Sequence, residues 1–191
     1  MKIKYNLLPK HKTQKHNLNV EIDLYPYATE LYEELDKIGI IERIKEIPQL
    51  GVIKVKKKLA KTRWDYVMLQ LYLHKLIKSR LQGDLRYTYN NLINSKQFRE
   101  DYVYFDKKNK PSMGDIFQLL TIVYNVGHFY NTFTASRAIV MIAQEDRNFR
   151  NLIINACEDK RYQNAAKTIL ESKNYQRLHL LNSILVLEHC N

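Results

Sequence analysis

The 191-residue sequence is poor in residues that break or cross-link a chain, with five glycines, four prolines and two cysteines. Cys157 and Cys190 do not form a CxxC motif and no secretory leader is evident, so disulfide bonding is not expected and a cytoplasmic location is predicted. No apolar run approaches the roughly 18 residues of a membrane span. The sequence therefore predicts neither export nor insertion into a membrane.

Acidic residues are also scarce relative to basic ones. The chain has 31 Lys and Arg against 20 Asp and Glu, which gives a formal net charge of +11. Such an excess attracts polyanions, including nucleic acid and nucleotides, although attraction alone gives no specificity. An equally good explanation is that a composition rich in Lys, Asn, Ile and Tyr reflects an AT-rich genome.

The composition is that of a folded chain, with 45% hydrophobic and 27% charged residues. A chain of this length is expected to form one domain with a substantial core. Residues 1–16 are rich in Lys and lack periodicity, which indicates a basic N-terminal arm or an edge segment. We therefore predict this arm followed by a single domain over residues 17–191.

Apolar spacing predicts a mainly α-helical fold with a minor β element near the N-terminus. Alternating Leu18, Val20, Ile22 and Leu24 indicate a half-buried strand. Helices are predicted over about 26–38, 40–47, from 62 onward, and over 85–100, 115–129, 134–143, 147–157, 160–171 and 174–189. Gly39 is expected to end the first of them and Pro48 the second. Thr134, Asp146 and Asp159 are predicted to cap the helices that begin beside them. The 115–129 helix is apolar on nearly all sides and is expected to be the buried centre, preceded by an exposed loop over 105–114.

Two groups of motifs follow this helical pattern. The first comprises Val20-Glu-Ile-Asp-Leu24, Ile41-Glu-Arg-Ile-Lys-Glu-Ile-Pro-Gln-Leu-Gly51 and Thr62-Arg-Trp-Asp-Tyr66. The second is Ile122-Val-Tyr-Asn-Val-Gly-His-Phe-Tyr-Asn-Thr-Phe133. In order and spacing they resemble the HD-domain phosphohydrolase superfamily, in particular its deoxynucleotide triphosphohydrolase branch. The resemblance covers residues 18–140 and implies an HD-domain-like helical bundle.

The resemblance also implies that most metal ligands have been replaced. Tyr66 stands at the position of the first histidine, and Tyr124 and Asn125 stand at the His-Asp pair, while His128 is retained. A phenol is ordinarily protonated at neutral pH and an amide binds divalent ions weakly. We therefore predict no metal, no cofactor and a catalytically inactive domain. A divergent metal-dependent phosphohydrolase is the enzymatic alternative, and it would need His128 beside two other His or carboxylate ligands.

The resemblance further implies a retained binding pocket. It assigns contact with a nucleotide sugar to Gln49 and contact with phosphate to Arg63, because a guanidinium binds phosphate in a bidentate manner. The structural alternative is that Arg63 pairs with Asp65 or a helix end. The candidate pocket for a nucleotide or other phosphate ligand consists of Gln49, Arg63, Tyr66, Tyr124, Asn125 and His128.

A lysine cluster provides a different functional hypothesis. Five lysines in eight positions give a strong positive potential, and they are Lys54, Lys56, Lys57, Lys58 and Lys61. Together with the basic arm, they could bind nucleic acid or another anion through its phosphates. The alternative interpretation is a solvated basic loop.

Overall fold

The computed structural model describes residues 1–8, 18–48, 61–80, 113–130, 132–172 and 175–188 of the chain. In these ranges the fold is mainly helical with a small antiparallel sheet near the N-terminus, which confirms the predicted fold class. The elements are β1 (Lys2–Leu8), β2 (Leu18–Asp23), α1 (Pro26–Lys37), α2 (Ile40–Glu46), α3 (Arg63–Arg80), α4 (Met113–Val126), α5 (Thr132–Glu145), α6 (Arg147–Asn155), α7 (Lys160–Glu171), a 3-10 helix (Tyr175–Arg177) and α8 (Leu178–Glu188). The helix predicted over 85–100 lies outside the described residues.

The chain divides into two compact units. Unit 1 consists of Met1–Glu30 and Met68–Leu120, and unit 2 consists of Leu31–Val67 and Thr121–Asn191. Among the helices that the structure describes, none combines the length and the apolar character needed to cross a membrane.

The sheet of unit 1 is formed by β1 and β2. Val20 and Ile22 are buried because alternate side chains of a strand face the same side, as the sequence pattern predicted. Lys2 Nζ lies 3.0 Å from Glu21 Oε1, but both side chains are exposed and the pair adds little stability. The strand β1 occupies part of the predicted basic arm, whereas residues 9–16 lie outside the described residues.

The side-chain amide of Gln118 ties the end of β2 to α4 within unit 1. Its Nε2 donates to the carbonyl of Asp23 at 2.9 Å, and its Oε1 accepts from the amide N–H of Tyr25 at 2.8 Å. Gln118 is almost fully buried, so both ends of the amide need such partners.

The first helices of unit 2 end and begin where local chemistry predicts. Gly39 adopts a φ of 79°, in the left-handed region that glycine tolerates, and separates α1 from α2. Before α3, Thr62 Oγ1 accepts from the amide N–H of Asp65 at 3.2 Å, and Asp65 Oδ2 accepts from the N–H of Thr62 at 2.7 Å. This reciprocal cap fixes the start of α3, directly before Arg63.

The C-terminal helices of unit 2 pack around an apolar core. Its buried members are Val140, Ala143, Cys157, Ala166, Leu170, Leu178 and Leu181. Asp146 and Asp159 cap α6 and α7, as predicted. The predicted cap at Thr134 is wrong, because α5 begins at Thr132 and Thr134 lies within it.

Two expectations about α4 are also wrong. The helix begins at Met113, inside the segment predicted to be a loop. It is not buried on all sides, since Leu120 is 62% exposed and Tyr124 is 47% exposed. Apolar atoms contribute more than half of a typical protein surface, so an apolar composition does not by itself establish burial.

We expect Asp146→Ala to lower the free energy of unfolding by about 1 kcal/mol, because it removes the acceptor for two amide N–H groups at the start of α6. Asp146 Oδ1 accepts from Asn148 at 2.8 Å and from Phe149 at 3.1 Å. Urea unfolding followed by circular dichroism measures the change. Asp146→Asn is the control, because asparagine caps helices about as well, and equal destabilisation by both variants would contradict this role.

Candidate functional site

Gly127 directly follows α4 and is a point of close approach to α8. A Cβ atom at this position would lie 1.9 Å from the carbonyl oxygen of His179 and 2.5 Å from the amide nitrogen of Ser183. The Gly127 N–H donates to Ser183 Oγ at 3.0 Å, and Asn182 Nδ2 donates to the Gly127 carbonyl at 2.8 Å. Because no side chain fits here, residue 127 must be glycine for the two backbones to meet.

This contact places two histidines against each other. The rings of His128 and His179 are stacked, with centroids 4.3 Å apart and planes inclined by 7°. Both are buried, whereas Tyr124 is half exposed and lies edge-on to His179 with a centroid distance of 4.8 Å. Tyr124 is therefore the most exposed ring of this group.

Several buried polar atoms have no hydrogen-bond partner among the described residues, on the two histidines, on Arg63 within electrostatic range of both, and on Asn125 three positions before His128. They are Arg63 Nε, Asn125 Oδ1, both ring nitrogens of His128 and His179 Nε2. We call Arg63, Asn125, His128 and His179 the polar cluster. A buried donor or acceptor without a partner costs about 1–3 kcal/mol, so these atoms need partners that the described residues do not supply, from ordered water or from a bound molecule.

Arg63 brings a positive charge to the cluster. Its backbone N–H donates to the carbonyl of Ile47 at 2.8 Å, which anchors the start of α3. Burial lowers the pKa of the Arg63 guanidinium, while the neighbouring phenols of Tyr124 and Tyr66 act in the opposite direction. A guanidinium nonetheless stays charged at neutral pH.

Arg43 is a second cation beside the cluster, on α2. Its Nη1 donates to the carbonyl of His128 at 2.8 Å, and its Nη2 donates to the carbonyl of Val126. These carbonyls lie at the C-terminal end of α4, where helix backbone groups lack intrahelical partners and a cation is favourable. Both terminal nitrogens of Arg43 therefore donate hydrogen bonds to backbone carbonyls.

The environment keeps His128 uncharged. Burial, together with the positive charges of Arg63 and Arg43, lowers the pKa of His128 to about 3. Burial is also the main cause that lowers the pKa of His179. Both imidazoles are thus neutral at neutral pH.

Five residues of the predicted pocket lie in this part of unit 2. Asn125 and His128 are members of the polar cluster, and Tyr124 contacts both histidines. Arg63 lies within electrostatic range of Tyr66, Tyr124 and His128. The remaining predicted residue, Gln49, lies outside the described residues.

The predicted lysine cluster is almost entirely outside the described part of the chain, namely Lys54, Lys56, Lys57 and Lys58. Lys61 is described, and its Nζ lies 3.9 Å from Asp65 Oδ1. Binding of nucleic acid through these lysines remains a prediction.

The pocket predicted from the sequence did not include His179 or Arg43. His179 lies among leucines at the start of α8, and Arg43 lies between the apolar positions Ile41 and Ile44 of α2. These patterns were visible in the sequence. Their partners in the cluster were not, because Arg43 and His128 are 85 positions apart.

The described residues do not suit a divalent metal ion. Within the polar cluster and its neighbouring tyrosines, His128 and His179 are the good nitrogen ligands, while the amide of Asn125 is weak and phenols are ordinarily protonated. No group of three His, Cys, Asp or Glu side chains able to hold a metal occurs in the described ranges. Arg63 and Arg43 also disfavour a cation here. The metal of HD phosphohydrolases therefore does not fit, and we assign no catalytic step to it.

Comparisons with protein-family models, with curated proteins and with solved structures found no match to this chain. The resemblance to HD phosphohydrolases therefore rests on the motifs alone and remains a prediction.

We expect Gly127→Ala to lower the free energy of unfolding by about 3 kcal/mol, because the added methyl group overlaps backbone atoms of α8 that cannot rotate away. Gly39→Ala is the matched control, because Gly39 has a positive φ but open space around its Cβ position. Its cost is only backbone strain, about 1 kcal/mol. Urea unfolding of both variants checks the order, and an equal loss would contradict the close contact.

We also expect the free energy of unfolding to fall as the pH is lowered from about 6.5 toward about 3, because between these values His128 binds a proton in the unfolded chain and not in the folded one. Its contribution between about pH 7 and about pH 5 is about 2 kcal/mol. His128→Gln and His128→Phe should flatten this pH dependence equally, although their stabilities differ. Urea unfolding at both pH values measures it, and an unchanged slope would contradict the shift.

Proposed function

We propose that this protein binds a phosphate-bearing ligand, such as a nucleotide, at the polar cluster of unit 2, and that it does so without catalysing metal-dependent hydrolysis. The observation that carries the proposal is that Arg63, within electrostatic range of His128 and His179, holds a buried polar atom without a partner among the described residues, as both histidines do. A ligand that supplies partners for these atoms removes an unfavourable term from the folded state.

Arg63 is the group that we assign to the phosphate. Arg63 is only half-buried and its Nε has no partner among the described residues, so two N–H groups along one edge of its guanidinium can donate to two phosphate oxygens. Arg43 plays a different part, because its nitrogens already donate to the end of α4. Its charge still adds to the positive potential that an anion experiences.

The absence of hydrolysis is proposed from the chemistry of the donor set. Hydrolysis of a phosphate ester by a metal enzyme needs an ion that polarises the phosphate oxygens or lowers the pKa of bound water. The phenols of Tyr66 and Tyr124 and the amide of Asn125 are poor ligands for such an ion. This set of side chains therefore supports ligand binding without metal-dependent hydrolysis.

We expect purified protein to bind deoxynucleoside triphosphates in isothermal titration calorimetry, and Arg63→Met to weaken the affinity by about 10- to 100-fold, the effect of losing charge-assisted hydrogen bonds. Arg63→Lys should recover only part of the loss, because lysine keeps the charge and loses the bidentate geometry. Arg137→Met, at an exposed arginine of α5, is the control and should bind like the parent protein.

Two results would contradict the proposal. One is the absence of binding by every nucleotide and by inorganic phosphate. The other is robust hydrolysis of the same nucleotides when Mn²⁺ is added, because that would require a metal centre which the described residues do not provide.

A further inference from the structure

One face of α5 is apolar and exposed. Phe133, Met141 and Ile142 are 57%, 48% and 47% exposed, respectively, and Ala138 between them is exposed as well. The opposite face of the helix, which includes Val140, packs into the C-terminal core of unit 2. Single exposed apolar residues are common on protein surfaces, whereas large ones aligned on one face of a helix are typical of a surface that binds another protein.

The same face carries one charge of each sign. Arg137 and Glu145 are both exposed, and neither has an ion-pair partner among the described residues. They lie four positions before and four positions after Met141. Because side chains four positions apart are neighbours on a helix surface, the three residues form one row in the order basic, apolar, acidic.

A row in this order is complementary to its own reversed copy. Helices pack most often with their rows of i, i+4 side chains aligned. When a second copy of α5 lies antiparallel to the first around a two-fold axis at Met141, Arg137 of each copy meets Glu145 of the other. A parallel arrangement would instead place like charges together. Charge complementarity therefore selects an antiparallel, symmetric pair of helices.

We infer that two copies of this chain form a dimer through the exposed face of α5, antiparallel and around a two-fold axis at Met141. Apolar side chains, including Met141 and Ile142, form the centre of this interface, and an Arg137–Glu145 ion pair lies at each end. An anionic lipid surface would suit Arg137 but repel Glu145. None of these residues belongs to the polar cluster, so the inference does not rest on the proposed function.

Sedimentation equilibrium tests whether the dimer forms. An interface centred on one helix is smaller than the roughly 800 Å² per partner of a standard interface, so we expect a Kd of about 10–100 µM. The average mass should rise with concentration from that of one copy toward that of two. The measurement uses about 0.15 M salt, because the net charge of +11 opposes association when it is poorly screened. A protein that stays monomeric up to about 1 mM would overturn the inference.

Charge reversal tests the pairing. Arg137→Glu and Glu145→Arg should each weaken the dimer at least about tenfold, because each turns two attractive contacts into two repulsive ones. The variant that carries both substitutions should dimerise within about threefold of the parent protein, since its pairs are restored in reverse. An equimolar mixture of the two single variants should form a heterodimer for the same reason.

Lys167→Glu is the matched control for the change in net charge. Lys167 is exposed on α7, and its substitution alters the net charge as much as Arg137→Glu does. This variant should dimerise like the parent protein. Single variants that dimerise as well as the parent, or a double variant as weak as either single one, would refute the pairing.

Chemical cross-linking locates the axis without changing any charge. Two copies of residue 141 lie next to each other at the proposed axis, so a short bismaleimide should link Met141→Cys to its counterpart. Thr134→Cys is the control on the same face, because seven residues from the axis separate the two copies by about 21 Å. Both variants carry Cys190→Ser, whereas Cys157 is buried. Failure of Met141→Cys to link, or equal linking of both variants, would overturn the inference.

Discussion

At Gly127 the backbone that follows α4 lies against the backbone of α8 with no side chain between them, and the arrangement of the polar cluster follows from this contact. Both backbone polar groups of Gly127 are bonded to side chains of α8, from Ser183 and Asn182. The next residue along the chain, His128, is thereby set against His179. A larger separation of the two segments would break the ring stack and these hydrogen bonds together.

The two arginines of the site have different roles, which follow from their hydrogen bonds. Arg43 neutralises the carbonyl end of α4 and stabilises the local fold, whereas Arg63 retains an unpartnered nitrogen. Burial and the positive charges of the two arginines keep the imidazole of His128 neutral. The site thus combines a fixed positive potential with uncharged imidazoles.

The sequence predicted most helix boundaries that have a local cause, with the cap assigned to Thr134 as the exception. Gly39, Pro48, Thr62, Asp146 and Asp159 act through backbone groups only a few positions away, and the structure places each at or next to an element boundary. The exposure of α4 was not predicted, because composition does not reveal which face of an apolar helix is covered. For the candidate site, the motifs pointed to residues on α3 and α4. The part played by α8 was missed, because pairing of His128 with His179 depends on tertiary packing.

The geometry at Gly127 also restricts how the protein can accommodate genetic change at this position. The nearest obstacles to a side chain are the carbonyl oxygen of residue 179 and the amide nitrogen of residue 183, which are present whatever amino acids occupy those positions. Truncating Ser183 would remove its hydroxyl and leave both backbone atoms in place. A suppressor of a substitution at position 127 must therefore act on the placement of α8 itself, through residues of its core-facing side, and not through a compensating smaller side chain.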